Sequence, residues 1–309
     1  MNELVPVYYA RFRCLASGCR HTCCAGWEIG IDSETAAFYR TVPGPFGEEL
    51  RQSMAEGEEE CGFVLAEGDR CPFLDGGGLC RIYTELGESA LCQICRDHPR
   101  FRNGFSSWTE TGLGLCCEEA ARIILTEKER AGLVPLKGDG VLCPFGPEEA
   151  FFLAFRKKTL DILWERTIPL EARFARLEGE GLCLPVGRIG DWKERLLSLE
   201  RLEDAWTETL ESRLTRGAAP SSRWDLPLEQ AAVYFLYRHL PGALEDGQYA
   251  ARCALAVLLC RLLGALFACE AEPSMEGLAD LARRLSAEIE YSDRNIPLLV
   301  EMLADCGGT

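Results

Sequence analysis

Seventeen cysteines stand in 309 residues, and eleven of them fall between Cys14 and Cys117. No other feature constrains the fold as strongly. The opening MNELVPVYYARFRC has no apolar run behind a basic start, so no secretory signal is read there and a cytoplasmic protein is expected. A reducing compartment does not keep that many thiols as disulfides, and thiols crowded into a short stretch then point to metal. They lie at Cys14, Cys19, Cys23 and Cys24 in FRCLASGCRHTCCAGW, at Cys61, Cys71 and Cys80, at Cys92 and Cys95 in LCQICRDHPRF, and at Cys116 and Cys117. Tetrahedral zinc and each iron of a cluster both ask for thiolates converging from short loops. Cys143, Cys183, Cys253, Cys260, Cys269 and Cys306 fall on apolar or helical segments and read as small buried hydrophobes.

Spacing leaves the metal open. A zinc ribbon shows two C-x₂-C knuckles, and here only Cys92–Cys95 has that interval. A radical S-adenosylmethionine motif, C-x₃-C-x₂-C, starts at Cys19 and Cys23 but meets Gly26 at its third place. More thiols are present than one four-coordinate site can use, so either there are two sites or some cysteines support the others. Nor is there a glycine-rich turn after an apolar strand. GDG at 138–140 and GEG at 179–181 lack both the strand and the spacing, so no dinucleotide-type or Rossmann-like donor site is read.

A formal charge of −16, from 49 acidic and 33 basic residues, excludes a general nucleic-acid binder and favours a basic partner. CALAVLLCRLLGALFAC, 253–269, is short for a membrane span and carries Arg261, so it reads as a buried core helix.

Up to about residue 125 the chain is rich in Gly, Pro and Cys, with short apolar runs that suit loops and brief strands. Asp32 or Ser33 is placed to cap a helix through Tyr39, and EEAARIIL predicts another over 118–125. From Pro147 onward the three- and four-residue apolar spacing predicts helices to about 166, then over 169–177, 192–214, 226–240, 248–271, 276–289 and 295–304. Glu56 to Glu60 reads as an acidic surface loop. The expected fold is mainly α: a loop-rich cysteine-cluster metal-binding domain over 1–125, packed on an all-helical domain over 145–309.

The runs CRHTCCAGWEIGID, CPFLDGGGLCRIYTELGESALCQICRDHPRF and CCEEAARIIL resemble the flagellin lysine-N-methylase family, and the same opening resembles a wider zinc- or iron-chelating cysteine-cluster family. The likeness continues at AAVYFLYRHLPGALEDGQYAARCALAVLLC and SAEIEYSDRNIPLLVEML. Carried over position by position, it implies Cys14, Cys19, Cys23, Cys24, Cys71, Cys80, Cys95 and Cys116 as metal ligands. Cys92 and Cys117 stand outside that set, as local additions where the family pattern has Ser and Pro. The resemblance also implies an iron–sulfur centre, of the 4Fe-4S kind with zinc as alternative. It further implies S-adenosylmethionine as methyl donor and flagellin lysines as acceptors. The alternative is a non-catalytic metal module for storage, sensing or scaffolding. Arg96, His98 and Arg100 are the candidates for holding the cofactor: the cations Arg96, Arg100 and Arg102 beside a cysteine offset a thiolate's charge or grip a carboxylate, and His98 reads as a ligand, a base or a packed ring. Asp97, His98, Glu110, Tyr83 and Glu85 are proton-accepting candidates, with no catalytic residue assigned.

Overall fold

A computed structural model describes residues 2–56, 61–214 and 219–306, without the side chains of Glu56 and Cys306. The chain is mainly α and forms two compact units, one of residues 13–100 and one of residues 1–12 with 101–309. The segment 1–125 is thus shared between them. Of the expected acidic loop, residues 57–60 lie outside the described residues.

In the larger unit, the strand Asn2–Pro6 lies between Trp108–Leu113, to which it runs parallel, and Leu133–Lys137, to which it runs antiparallel; Arg100–Gly104 flanks Trp108–Leu113. Trp108 and Leu113 are fully buried. The helix Glu118–Leu125 forms where the spacing predicts it, and Ile123, Ile124 and Leu125 enter the main core. The helices Asp225–His239 and Tyr249–Phe267 are apolar nearly all round and form the centre of that core. Each fully buried Leu or Phe there stabilises by about 1.5–3 kcal/mol. Tyr249–Phe267 is long and apolar enough to cross a membrane, yet most of it is buried inside the protein, as expected for a core helix. Arg261 within it is held by Glu171 at 2.9 Å and Glu178 at 3.3 Å.

One expected helix is broken. Residues 192–214 form a short turn of helix at Lys193–Leu197 and a second helix at Asp204–Leu214, with an open stretch between. The N–H groups of that stretch are taken by side chains from the C-terminal helices. Asn295 Oδ1 accepts from Glu200 at 2.9 Å, and the Glu288 carboxylate accepts from Leu202 at 2.8 Å and from Glu203 at 3.1 Å. Those bonds replace helical ones, so local apolar spacing loses to tertiary partners.

The smaller unit has a three-stranded antiparallel sheet, Gly30–Ile31, Cys61–Phe63 and Met54–Glu56, with Cys61–Phe63 central. Against it pack the helices Ser33–Thr41, Gly44–Gln52, Arg81–Leu86 and Gln93–Asp97, over a small core of Ile29, Ile31, Tyr39, Leu50, Phe63, Phe73 and Ile82. Asp32 caps Ser33–Thr41 through Thr35 N–H at 2.9 Å. Its other oxygen accepts from Gln93 N–H at 2.8 Å, so a single carboxylate fixes the starts of two helices. Burial pushes that carboxyl upward, but the N–H groups of Gln93 and Thr35 outweigh it and hold its pKa below the usual range.

Candidate metal centre

Backbone ties in the smaller unit bring distant cysteines together. Cys71 N–H donates to the Cys24 carbonyl at 2.8 Å, and Gly26 N–H to the Asp69 carbonyl at 3.0 Å, zipping 24–26 to 69–71. Between Cys71 and Cys80 the chain turns on Asp75, whose Oδ1 accepts from Gly77 and Leu79 at 2.8 Å each, while Gly78 takes a φ of 78°. Arg81 N–H returns to the Phe73 carbonyl at 2.8 Å, seating Cys80 at the start of its helix. Cys92 starts the next helix, and its Sγ is 3.3 Å from that of Cys95.

The result is a nest of five thiols: Cys24, Cys71, Cys80, Cys92 and Cys95. All five border the small core, and Cys71 and Cys92 are buried. Burial pushes the Cys71 thiol up to about 12, and negative charge on Cys24, Cys80 or Cys92 pushes the same way. Cys80 rises by burial, then by charge on Cys24 and Cys92, against backbone N–H bonds from Tyr83 and Ile82. The Cys92–Cys95 hydrogen bond draws Cys92 down and, with burial, pushes Cys95 up. A hydrogen bond from Cys23 leads in pulling Cys24 down to about 7, with Thr22 and Arg70 also lowering it against burial. Thiols that raise one another in this way are stabilised as thiolates by added positive charge, which a metal would supply. None of the described cysteines is in a disulfide.

Among the described residues, no three Cys, His, Asp or Glu side chains converge closely enough, as placed, to grip a single ion. The sulfurs are electrostatic neighbours without being convergent. A cluster with one thiolate on each iron asks for sulfurs around a common space, a looser demand than one tetrahedral ion makes. The soft, all-thiol donor set suits either.

Of the eight cysteines implied by resemblance, Cys24, Cys71, Cys80 and Cys95 are brought together. Cys14 is exposed, its Sγ accepting from Ala16 N–H at 3.4 Å. Cys19 donates to the His21 carbonyl at 3.0 Å, and exposed Cys23 bonds Cys24. Cys116 belongs to the other unit. There its Sγ stands 2.7 Å from Tyr291 Oη, beside a buried group in which Glu290 binds His239 at 2.6 Å, Tyr234 at 3.0 Å and Arg238 at 3.2 Å. Cys92, set aside by resemblance, is in the nest; its signal was the C-x₂-C interval to Cys95.

His98 follows the Cys95 helix and stacks on Trp27 at 6.3 Å, whose Nε1 donates to the Cys23 carbonyl at 2.7 Å. The His98 Nε2 atom is buried and has no partner. Burial first, then Arg100, push its pKa down to about 4, so the ring is neutral. Arg96 reaches the Ser89 carbonyl at 3.4 Å and Arg100 the Arg96 carbonyl at 3.3 Å. Of the proton-accepting candidates, Glu110 is buried in the larger unit against Arg156, and Tyr83 is half exposed.

Neither a family model nor a solved structure matches the chain. A lysine-N-methylase of Salmonella typhimurium is 31% identical over 137 residues, which are 41% of this chain and 33% of that protein. A lysine-N-methylase of Salmonella choleraesuis is 30% identical over the same length, again 33% of that protein. Over that stretch the chain is similar to proteins named lysine-N-methylase. The match spans a third of the length of those two relatives. The flagellar biosynthetic protein FliU of Salmonella muenchen is 29% identical over 137 residues, 79% of its length.

Proposed function

We propose that the chain is a lysine N-methyltransferase acting on flagellin, with S-adenosylmethionine as methyl donor and a Cys-ligated iron–sulfur centre, zinc being the alternative metal. The likeness over 137 residues to proteins named lysine-N-methylase carries this reading. Cys24, Cys71, Cys80, Cys92 and Cys95 are the residues that would hold the centre, which when bound supplies electron transfer or a Lewis-acidic iron. The acceptor amine must lose its proton before it attacks a methyl group, and a net charge of −16 draws a lysine-bearing segment toward the surface.

The test is methyl transfer from labelled S-adenosylmethionine to purified flagellin by chain reconstituted without oxygen. Label on flagellin lysines is the expected result. A metal-loaded chain that transfers no label overturns the enzyme reading. It would leave a non-catalytic metal module, a reading favoured by the confinement of the nest to the compact unit 13–100.

A further inference from the structure

We infer that Cys92 and Cys95 are a dithiol modification site for small-molecule disulfides, and that its oxidation and metal binding by the nest exclude each other. The second half rests on the proposed centre; the first does not. Their Sγ atoms are 3.3 Å apart, three residues apart on the first turn of one helix. A rotation of the side chains closes that gap to the roughly 2 Å of a disulfide without opening the fold. Cys92 is 1% exposed, whereas Cys95 is only partly buried and gives a reagent access. The buried thiols Cys183 and Cys253 also neighbour each other, but both are closed off. Cys23 and Cys24 are consecutive, a spacing that strains a disulfide ring.

The step balances with oxidised glutathione. The Cys95 sulfur attacks it, forming a mixed disulfide and releasing one glutathione thiol. The Cys92 sulfur then attacks Cys95 Sγ, forming the internal bond and releasing the second. Two hydrogens and two electrons pass from the pair to the reagent. A sulfur in that bond no longer has a thiolate to give a metal, so once the pair is closed only Cys24, Cys71 and Cys80 of the five nest sulfurs remain, one short of a four-thiolate set.

The experiment treats the intact chain, metal-free and metal-loaded, with oxidised glutathione, then alkylates remaining thiols and maps cross-links by mass spectrometry, with metal analysis alongside. Metal-free chain is expected to acquire a Cys92–Cys95 link and thereafter to lose metal uptake; loaded chain is expected to resist. Cys92→Ser should stop at a glutathione adduct on Cys95. A link to any other cysteine, or no link in the metal-free chain, overturns the site. Equal cross-linking of loaded chain with its metal retained overturns the exclusion. A chain that binds no metal yet forms the link refutes the proposed centre and the exclusion, and leaves the dithiol site standing.

Discussion

Replacing Tyr39 by Phe removes a single oxygen from the side chain that supports the thiol nest. Tyr39 is fully buried, and its hydroxyl donates to the Ala90 carbonyl at 2.7 Å, two residues before Cys92. Burial, with any negative charge on the neighbouring Cys92, Cys95 and Cys80 sulfurs, keeps the phenol protonated, so it remains a donor. Its ring stacks on Phe63 at 6.0 Å, a contact Phe retains. The loss is therefore the hydrogen bond plus an unsatisfied buried carbonyl, about 1–3 kcal/mol. Amide hydrogen exchange should report it locally. Helix Gln93–Asp97 and residues 88–92 should exchange about 5- to 150-fold faster, and metal affinity of the nest should fall with them. Tyr83→Phe, at a half-exposed ring, should change neither. Unchanged exchange at 88–97 in Tyr39→Phe would refute the reasoning, because the ring packing is the same in both proteins.

Three further outcomes are expected. Arg156→Met leaves the Glu110 carboxylate buried without its bonds at 2.6 and 2.7 Å and should cost about 3–5 kcal/mol in denaturant unfolding, with the added Glu110→Gln recovering part of it. His98 has a folded pKa of about 4 against an unfolded value near 6.5, so between those values the unfolded chain takes up a proton that the folded chain declines. Stability should therefore fall as pH drops through that window. His239, also held low by burial, adds to the slope, and His98→Phe should flatten it by about one proton in pH-dependent unfolding. Cys92→Ser should lower bound metal on elemental analysis, whereas Cys143→Ser, at an exposed thiol outside the nest, should leave it unchanged.

Short-range features were legible where the chemistry is local. EEAARIIL is helical over the residues its spacing marks, and Asp32 caps as its position suggests. The second role of Asp32, holding Gln93, was not, because nothing in either segment signals a partner 61 residues away. The same limit hid the pairing of Asn2–Pro6 with Trp108–Leu113 and Leu133–Lys137, which draws residues on both sides of the thiol unit into the helical one. It also hid the partnership of Cys116 with Tyr291, 175 residues on. At the nest, the C-x₂-C interval of Cys92 and Cys95 was visible, and resemblance argued against using it. Loop closure by Asp75 and Gly78 placed Cys80 beside Cys71, a matter of turn chemistry that spacing alone does not report.

Iron, zinc and acid-labile sulfide analysis of chain purified without oxygen tests the central claim most directly. Thiolates of Cys24, Cys71, Cys80, Cys92 and Cys95 gathered for an inorganic centre predict stoichiometric iron and sulfide, or stoichiometric zinc, lost when Cys71 and Cys80 are both changed to Ser. Protein that carries neither metal and takes up none on reconstitution would contradict it.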